Sequence, residues 1–368
     1  MKISVLQENL HKALGKVGRN ISSKPQLPIL LNVLVETIDN RLCITTTNLD
    51  TTERVFVGAK IDEEGSVCVP ARTLIDLVSS LKQGNVDIQS DKEKISIKAG
   101  GVRANIPGTL VDEFPKTASL SGTKEIHLNK ETMLNALNLV VFSAAGDTSR
   151  PLLSGVKVTA EDGHMTLAAT DGYRLCVKTI TVDKDVVFSS VVPARVFSEV
   201  VKIALEEKDE KDIVVSLSSD GQALFRIGDT ELLSRAIDGE YPAYQKIIPK
   251  NHTSTAVFDV EELLSAVRSA SIFARDNANI IKLHVEKGSS SVSSNSPQAG
   301  EGTIDVATDV EGEGGDIAYN SRFLIDYLSH ITSERVVFEM TGSLNPGVFR
   351  IPDDDTYLSV IMPVRVQG

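Results

Sequence analysis

Tryptophan is absent from this chain of 368 residues, aromatic residues make up only 5% of it, and there are three cysteines. The first two shortages predict cores of Leu, Val and Ile. Cys43, Cys68 and Cys176 each stand alone in apolar or β-branched surroundings. An odd number without metal-ligand spacing excludes a disulfide scaffold and predicts reduced, buried thiols in a reducing compartment. No apolar run approaches the ~20 residues of a membrane span. The opening MKISVLQENLHKAL has no charged segment followed by an apolar one, so it does not read as a secretory signal. A soluble, cytoplasmic protein without a membrane partner is expected.

A positive balance is lacking too. Asp and Glu total 50 against 38 Lys and Arg, a formal net charge of −12. As a sum this argues against binding a polyanion, which needs clustered Lys and Arg, but a sum says little about how the charge is distributed.

Catalytic signatures are missing as well. GKVGRN at 15–20 does not fit a phosphate-binding loop, and there is no GxSxG, HExxH or CxxC. No cofactor and no metal is expected. His164 and His284 sit in strand-like runs and read as structural residues; Asp353-Asp354-Asp355 reads as a solvated turn. Asp171, in Thr-Asp-Gly between two β-rich runs, fits a hairpin turn better than a catalytic acid. An α+β enzyme using Asp171 is the alternative, and no motif supports it.

What the chain does contain is repetition. Val69-Pro70-Ala71-Arg72 recurs as Val192-Pro193-Ala194-Arg195, each time after a β-branched run and before helical periodicity. The same offset aligns ISVLQENLHKAL from Ile3 with IHLNKETMLNAL from Ile126, PILLNV from Pro28 with PLLSGV from Pro151, and TTNLD from Thr46 with ATDGY from Ala169. A third, more worn copy has AVFDVEELLSAV from Ala256 and YNSRFLIDYLSHI from Tyr319, and Glu113-Phe114-Pro115 returns as Glu240-Tyr241-Pro242. The period is too long for a solenoid and matches whole domains. Three domains are expected, over 1–120, 125–250 and 255–368.

Each copy reads as a strand, an amphipathic helix, several strands, a second helix and closing strands. Leu6, Leu10, Leu14 and Val17 form one stripe; Leu74, Leu77, Val78 and Leu81 form another. The fold class is therefore α+β, three tandem copies of two helices packed on antiparallel sheet. Residues 117–125 and 250–255 read as linkers, and KGSSSVSSNSPQAGEG (287–302) as a flexible loop.

The positive charge recurs with the copies. Lys12, Lys16 and Arg19 share a face of the first helix, and Arg268 and Arg275 share one in the third copy. Arg72, Arg195 and Arg322 hold one position of the second helix in all three copies, with Lys202 two turns beyond Arg195. The second copy's first helix carries only Lys130, with Asn135 and Asn138. Any single face of this kind is ordinarily solvated surface. Threefold recurrence points instead to a common basic lining that meets phosphates without reading bases.

ATDGYRLCV (169–177), RPLLSGV (150–156), DGEYPAYQKIIP (238–249) and the tail VIMPVRV (360–366) together resemble the β subunits of bacterial DNA polymerase III, the sliding-clamp family, and the similarity runs the full length. The resemblance implies a protein that is not an enzyme. It also implies a DNA-clamp fold whose head-to-tail homodimer forms a ring around double-stranded DNA, independent of sequence. Its partners would be the DNA polymerase III catalytic subunit, a clamp loader, and other polymerases and repair proteins carrying clamp-binding peptides. The implied peptide pocket comprises Leu153, Thr170, Gly172, Tyr173, Arg174, Leu175, Pro242, Lys246, Ile247, Asn320, Phe323, Leu344, Met362, Pro363, Val364 and Arg365. Lys246 stands where an Arg is familiar, and Gln367-Gly368 extend past the usual end. For DNA the resemblance adds Lys24 and supports Arg72 and Arg195, while the charge of Asp147 departs from the polar residue expected there. For the dimer contact it implies Arg103 and Ile106 against Ile272, Phe273 and Glu301, with Ala104 in place of a bulkier residue. A protein-binding scaffold that uses the pocket but never encircles DNA is the other alternative.

Overall fold

The computed structural model describes residues 1–22, 24–91, 93–116, 125–147, 149–218 and 221–365. Its α-helices are α1 (Gln7–Gly18), α2 (Ala71–Ser80), α3 (Lys130–Val140), α4 (Ala194–Glu206), α5 (Val260–Ala274) and α6 (Ser321–His330), two per copy. Both VPAR segments are strand-to-helix junctions: strands Ser66–Pro70 and Phe188–Pro193 end on the proline, and α2 and α4 start at the alanine. Proline donates no ladder hydrogen bond, so it suits the last strand position, and its fixed φ suits a helix entrance. Asp259 and Asn320 cap α5 and α6 by accepting from the Glu262 and Arg322 amides.

Leu10, Ala13, Leu14 and Val17 of α1 are buried in a core with Leu74 and Val78 of α2. Leu6 is not part of that stripe. It is 44% exposed at the strand end, and Gln7 is buried in its place, donating from Nε2 to the Val78 carbonyl at 2.8 Å. That hydrogen bond ties the two helices of the first copy. Cys43, Cys68 and Cys176 are all buried and unbridged.

The described chain forms two compact units, Met1–Lys130 with Ser198–Ala236, and Glu131–Phe197 with Ile237–Gly368. Their boundaries cut through the second copy, and the sheets give the reason. The first unit holds a five-stranded sheet ordered Ala59–Glu63, Lys2–Leu6, Asn85–Ser90, Lys94–Ala99, Val102–Pro107. Its eight-stranded sheet is shared by two copies: Thr230–Arg235, the last strand of copy two, pairs antiparallel with Thr51–Val57 of copy one, from Thr230↔Val55 to Ser234↔Thr51. The second unit repeats this. In its nine-stranded sheet Asp354–Ile361, the last strand of copy three, pairs with Arg174–Thr181 of copy two, from Arg174↔Ile361 to Lys178↔Tyr357. Its four-stranded sheet runs Gly300–Val306, Ser290–Ser296, Ile280–Val285, Gly315–Asn320.

Residues 287–302, expected to be a flexible loop, instead supply Ser290–Ser296 and the start of Gly300–Val306, paired from Ser290↔Val306 to Ser296↔Gly300. Serine and glycine there are not linker composition. Ser290, Val292, Ser294 and Ser296 are buried on alternate positions, and these small side chains let α5 lie close over the hairpin. A Cβ on Gly302 would come within 2.4 Å of the Phe273 ring of α5. The expected linker at 250–255 ends where the strand Ser254–Asp259 begins, and the one at 117–125 lies almost wholly outside the described residues.

Within the shared eight-stranded sheet, Glu53 is fully buried and neither carboxylate oxygen has a hydrogen-bond partner among the described residues. Burial pushes its pKa up to about 7; Arg19 and Lys16 pull it down, Glu199 and Glu206 push it up. The native state therefore holds a proton that the unfolded chain releases near pH 4.5. The stability linked to this one group is fully present below that pH and falls as pH rises toward 7, where the charged carboxylate must be buried. Glu53→Gln is expected to raise unfolding stability by about 2 kcal/mol at pH 8, with the gain vanishing near pH 5. Urea unfolding at the two pH values measures it.

Candidate peptide pocket and basic helix faces

The second unit gathers one group of the expected pocket residues around Arg174. Thr170-Asp171-Gly172-Tyr173-Arg174 is a tight turn in which Asp171 Oδ1 accepts from the Tyr173 and Arg174 amides at 2.9 and 3.0 Å, and Gly172 takes φ +93°. Thr170 Oγ1 donates to the Arg174 carbonyl at 2.5 Å. The Arg174 guanidinium donates to Asp171 Oδ2 at 3.0 Å, Asp326 Oδ2 at 2.7 Å and the Phe142 carbonyl at 2.8 Å. It also stands 5.0 Å from the Phe323 ring centroid and 5.4 Å from that of Phe142. Tyr173 stacks on Phe323 at 6.2 Å and is 59% exposed. Asp171 is thus a turn and ion-pair residue, as its Thr-Asp-Gly context predicts.

The C-terminal tail is fastened across this turn. The Met362 amide donates to the Tyr173 carbonyl at 2.9 Å and the Val364 amide to the Ala318 carbonyl at 2.8 Å. Val364 and Leu344 line one depression of about 440 Å3, whose wall includes Ile280 and Ala318. Leu344, 62% exposed, and Ile247, 37% exposed, present apolar surface. The Tyr241 hydroxyl accepts from the Thr170 amide at 3.2 Å and so links the turn to the segment carrying Pro242, Lys246 and Ile247. The Leu153 carbonyl accepts from the Ala145 amide at 2.8 Å, and Leu153, Met362 and Pro363 are half-buried. Lys246 and Arg365 are exposed. Two expected residues are not on this surface. Leu175 is fully buried against Ala168, Val348 and Val360, and Thr170 is 5% exposed. Both carry the wall from behind. Asn320 caps α6. Gln367-Gly368 lie outside the described residues.

Phe142 and Asp326 were missed by sequence reasoning. Asp326 sits three residues after Phe323 and so shares its helix face, a signal that was there; Phe142 gave none. His284, read as a structural strand residue, is 38% exposed in its side chain between Asp316, at 2.7 Å, and Glu286, at 3.2 Å. Those two carboxylates raise its pKa. Among the described residues no cluster of His, Cys, Asp or Glu could hold a metal ion. Asp354 bonds Lys178 at 2.6 Å.

The basic residues divide into two kinds. Lys16 of α1 is ion-paired with Glu207 and donates to Thr230 Oγ1 at 3.2 Å. Arg19 bonds Glu199 at 3.0 Å and Glu206 at 2.6 Å. These two, expected to share an open face with Lys12, are instead committed to α4 and the loop after it. The reason is that Glu199 and Glu206 lie on α4 itself and Glu207 directly follows it. Lys202 pairs with Glu199 at 3.0 Å but is 57% exposed in its side chain. Lys12, Lys24 and Arg72 are exposed and make no ion pair among the described residues. Arg195, Arg275 and Arg322 are exposed as well, and Arg268 donates to Ser329 Oγ at 3.5 Å. Asp147 is an exposed turn residue accepting from the Ser149 amide at 3.0 Å.

Arg174→Ala leaves two carboxylates and a carbonyl without their donor. With Asp326 partly solvated, a destabilisation of about 2 kcal/mol is expected, read as a lowered melting temperature together with separation of the Tyr173 and Phe323 rings.

Three family models match in tandem: the DNA polymerase III beta subunit N-terminal domain over residues 1–118, the central domain over 127–243 and the C-terminal domain over 245–365. The chain is 27% identical to the beta sliding clamp of Bacillus subtilis, over 99% of this chain and 100% of that one. It is 27% identical to the beta sliding clamp of a Synechocystis species, over all of both chains. The crystal structure of the DNA polymerase sliding clamp from Bacillus subtilis superposes with a TM-score of 0.94 at 26% identity, covering 100% of each chain. With all three of its copies matched in order, the chain belongs to the DNA polymerase III beta subunit family, the sliding clamps of bacterial DNA replication.

Proposed function

We propose that two copies of this chain join head to tail around duplex DNA, hold a replicative polymerase there, and dock partner peptides at the Arg174–Tyr173 pocket. One observation carries the reading. At each junction between copies, the last strand of one copy pairs with the middle strand of the copy before it: Thr230–Arg235 with Thr51–Val57, and Asp354–Ile361 with Arg174–Thr181. The same rule leaves one strand of each kind over. Val102–Pro107, the last strand of copy one, and Gly300–Val306, the corresponding middle strand of copy three, are both sheet edges. An open edge carries a row of backbone donors and acceptors that pairs with a matching strand. A second chain supplies that match twice, so the assembly closes.

Arg103 and Ile106 lie on the first of these strands and Glu301 on the second; Ile272, 51% exposed, and Phe273 lie on α5 beside it. Repeated helices carrying Lys12, Arg72, Arg195, Arg268, Arg275 and, in the loop after α1, Lys24 supply the phosphate contacts. Such contacts are sequence-independent and weaken with salt. Lys16 and Arg19 serve instead as ties between α1 and α4. No step of catalysis is assigned to this chain. The clamp loader and the partner polymerases are read from the family alone, and no helix of the described residues is long and apolar enough to cross a membrane.

Sedimentation of the wild-type chain is expected to give a dimer, and Ile272→Asp combined with Ala104→Pro a folded monomer. The dimer, loaded on nicked circular DNA, is retained until the circle is cut; a wild-type monomer, or retention indifferent to linearisation, contradicts the reading. Lys12→Glu with Arg72→Glu is expected to weaken DNA retention and lower the salt slope by about 1 for each phosphate no longer neutralised. Lys16→Ala should act on stability instead, leaving that slope unchanged.

A further inference from the structure

The turn that carries Tyr173 is built twice. At 170–174, Thr170 Oγ1 donates to the Arg174 carbonyl at 2.5 Å and accepts from the Gly172 amide at 3.0 Å, and Asp171 Oδ1 takes the next two amides at 2.9 and 3.0 Å. At 47–51, Thr47 Oγ1 donates to the Thr51 carbonyl at 3.1 Å and accepts from the Leu49 amide at 3.2 Å, while Asn48 Oδ1 takes the next two amides at 3.1 and 2.8 Å. The fastening recurs as well. Arg235, at the end of copy two's last strand, donates from its amide to the Asp50 carbonyl at 3.2 Å, as Met362 does to Tyr173 at 2.9 Å. Pro115 follows Phe114 as Pro242 follows Tyr241.

The side chains differ at the four positions after the threonine, and the corner differs in kind. Gly172 holds the corner at φ +93°, and at the matching corner Leu49 takes φ +76°. A leucine pays a steric cost in that backbone region, and such strain concentrates at functional positions. Its side chain is nevertheless 42% exposed, so burial does not offset the cost. Leu49 borders a depression of about 220 Å3 whose apolar wall adds Leu233 and Pro115 and whose rim carries Lys116 and Arg235 beside Asp50. Both cations are exposed, and among the described lining residues they outnumber the acid.

We infer that this depression is a second peptide-docking site, taking a short extended segment of a partner protein that sets one leucine-sized side chain against Leu49 and Leu233 and a carboxylate toward Lys116 and Arg235. The inference rests on the reading of the 170–174 turn as a peptide pocket, of which this is the smaller counterpart. An extended segment suits it because the frame offers a strand end and a turn. The positive rim selects acidic flanks.

The test is methyl NMR of the full-length chain labelled at leucine, titrated with acetylated, amidated Gly-Asp-Leu-Asp-Gly and with the same peptide carrying Asn for Asp. The expected result is a saturable shift of the Leu49 and Leu233 methyl signals with the Asp peptide. Binding is expected to be at least tenfold weaker for the Asn peptide, and tenfold weaker again in Lys116→Glu with Arg235→Glu. Unmoved Leu49 and Leu233 signals overturn the proposal, as does a shift that the charge reversals leave intact. Shifts confined to Leu153 and Leu344 overturn the second site but leave the first pocket standing. Shifts at Leu49 with Leu153 and Leu344 silent keep the second site and count against the first.

Discussion

The constraint on which the rest depends is that a β-sheet edge must be paired, covered or guarded. Each copy of this repeat makes a middle strand and a last strand that its own sheets leave at an edge. The chain satisfies these by lending the last strand of one copy to the sheet of the copy before, at Thr230↔Val55 and again at Arg174↔Ile361. The sheets are therefore continuous across copies, which is why the compact units do not coincide with the repeats. The two strands left over, Val102–Pro107 and Gly300–Val306, are complementary by construction, so one rule of pairing accounts for both the internal joints and the proposed joint between chains.

Electrostatics follows from the same joints. Bringing the last strands of copy two against copy one sets α1 beside the acids of α4, and Lys16 and Arg19 are consumed there by Glu207, Glu199 and Glu206. The cost is a carboxyl, Glu53, buried at the shared sheet and held near neutrality by its surroundings. Cations that meet no acid among the described residues, such as Lys12, Lys24 and Arg72, are the ones the proposed DNA contact draws on. A chain with a net charge of −12 can bind DNA on these terms, because what matters is which cations remain uncommitted rather than the sum.

Much of this was legible in the residues, because repetition amplifies weak signals. The recurrence of VPAR, TTNLD/ATDGY and EFP/EYP announced two copies, AVFDVEELLSAV and YNSRFLIDYLSHI a third, and the apolar spacing of α1 and α2 placed their buried faces with an error of one turn at Leu6. Pairing between copies was not legible, since strand alternation records which face is buried and not which strand lies alongside. The hairpin at 290–306 was misread because Ser and Gly are flexible in solution yet fit closely under a helix. The commitment of Lys16 and Arg19 was hidden for a similar reason: their partners lie some 180 residues on in the chain. In the pocket, Arg174 and Tyr173 stand in a motif the sequence shows, but Phe142 and Asp326, which hold Arg174 in place, are joined to it only by the fold.

The pairing rule is tested most directly by hydrogen–deuterium exchange of backbone amides in Val102–Pro107 and Gly300–Val306 as a function of protein concentration. Amides on the outer edge of both strands should be protected together in concentrated protein and lose protection together on dilution, while those of Thr230–Arg235 and Asp354–Ile361 stay protected throughout. Rapid exchange in the two edge strands at every concentration, or protection of one without the other, would contradict it.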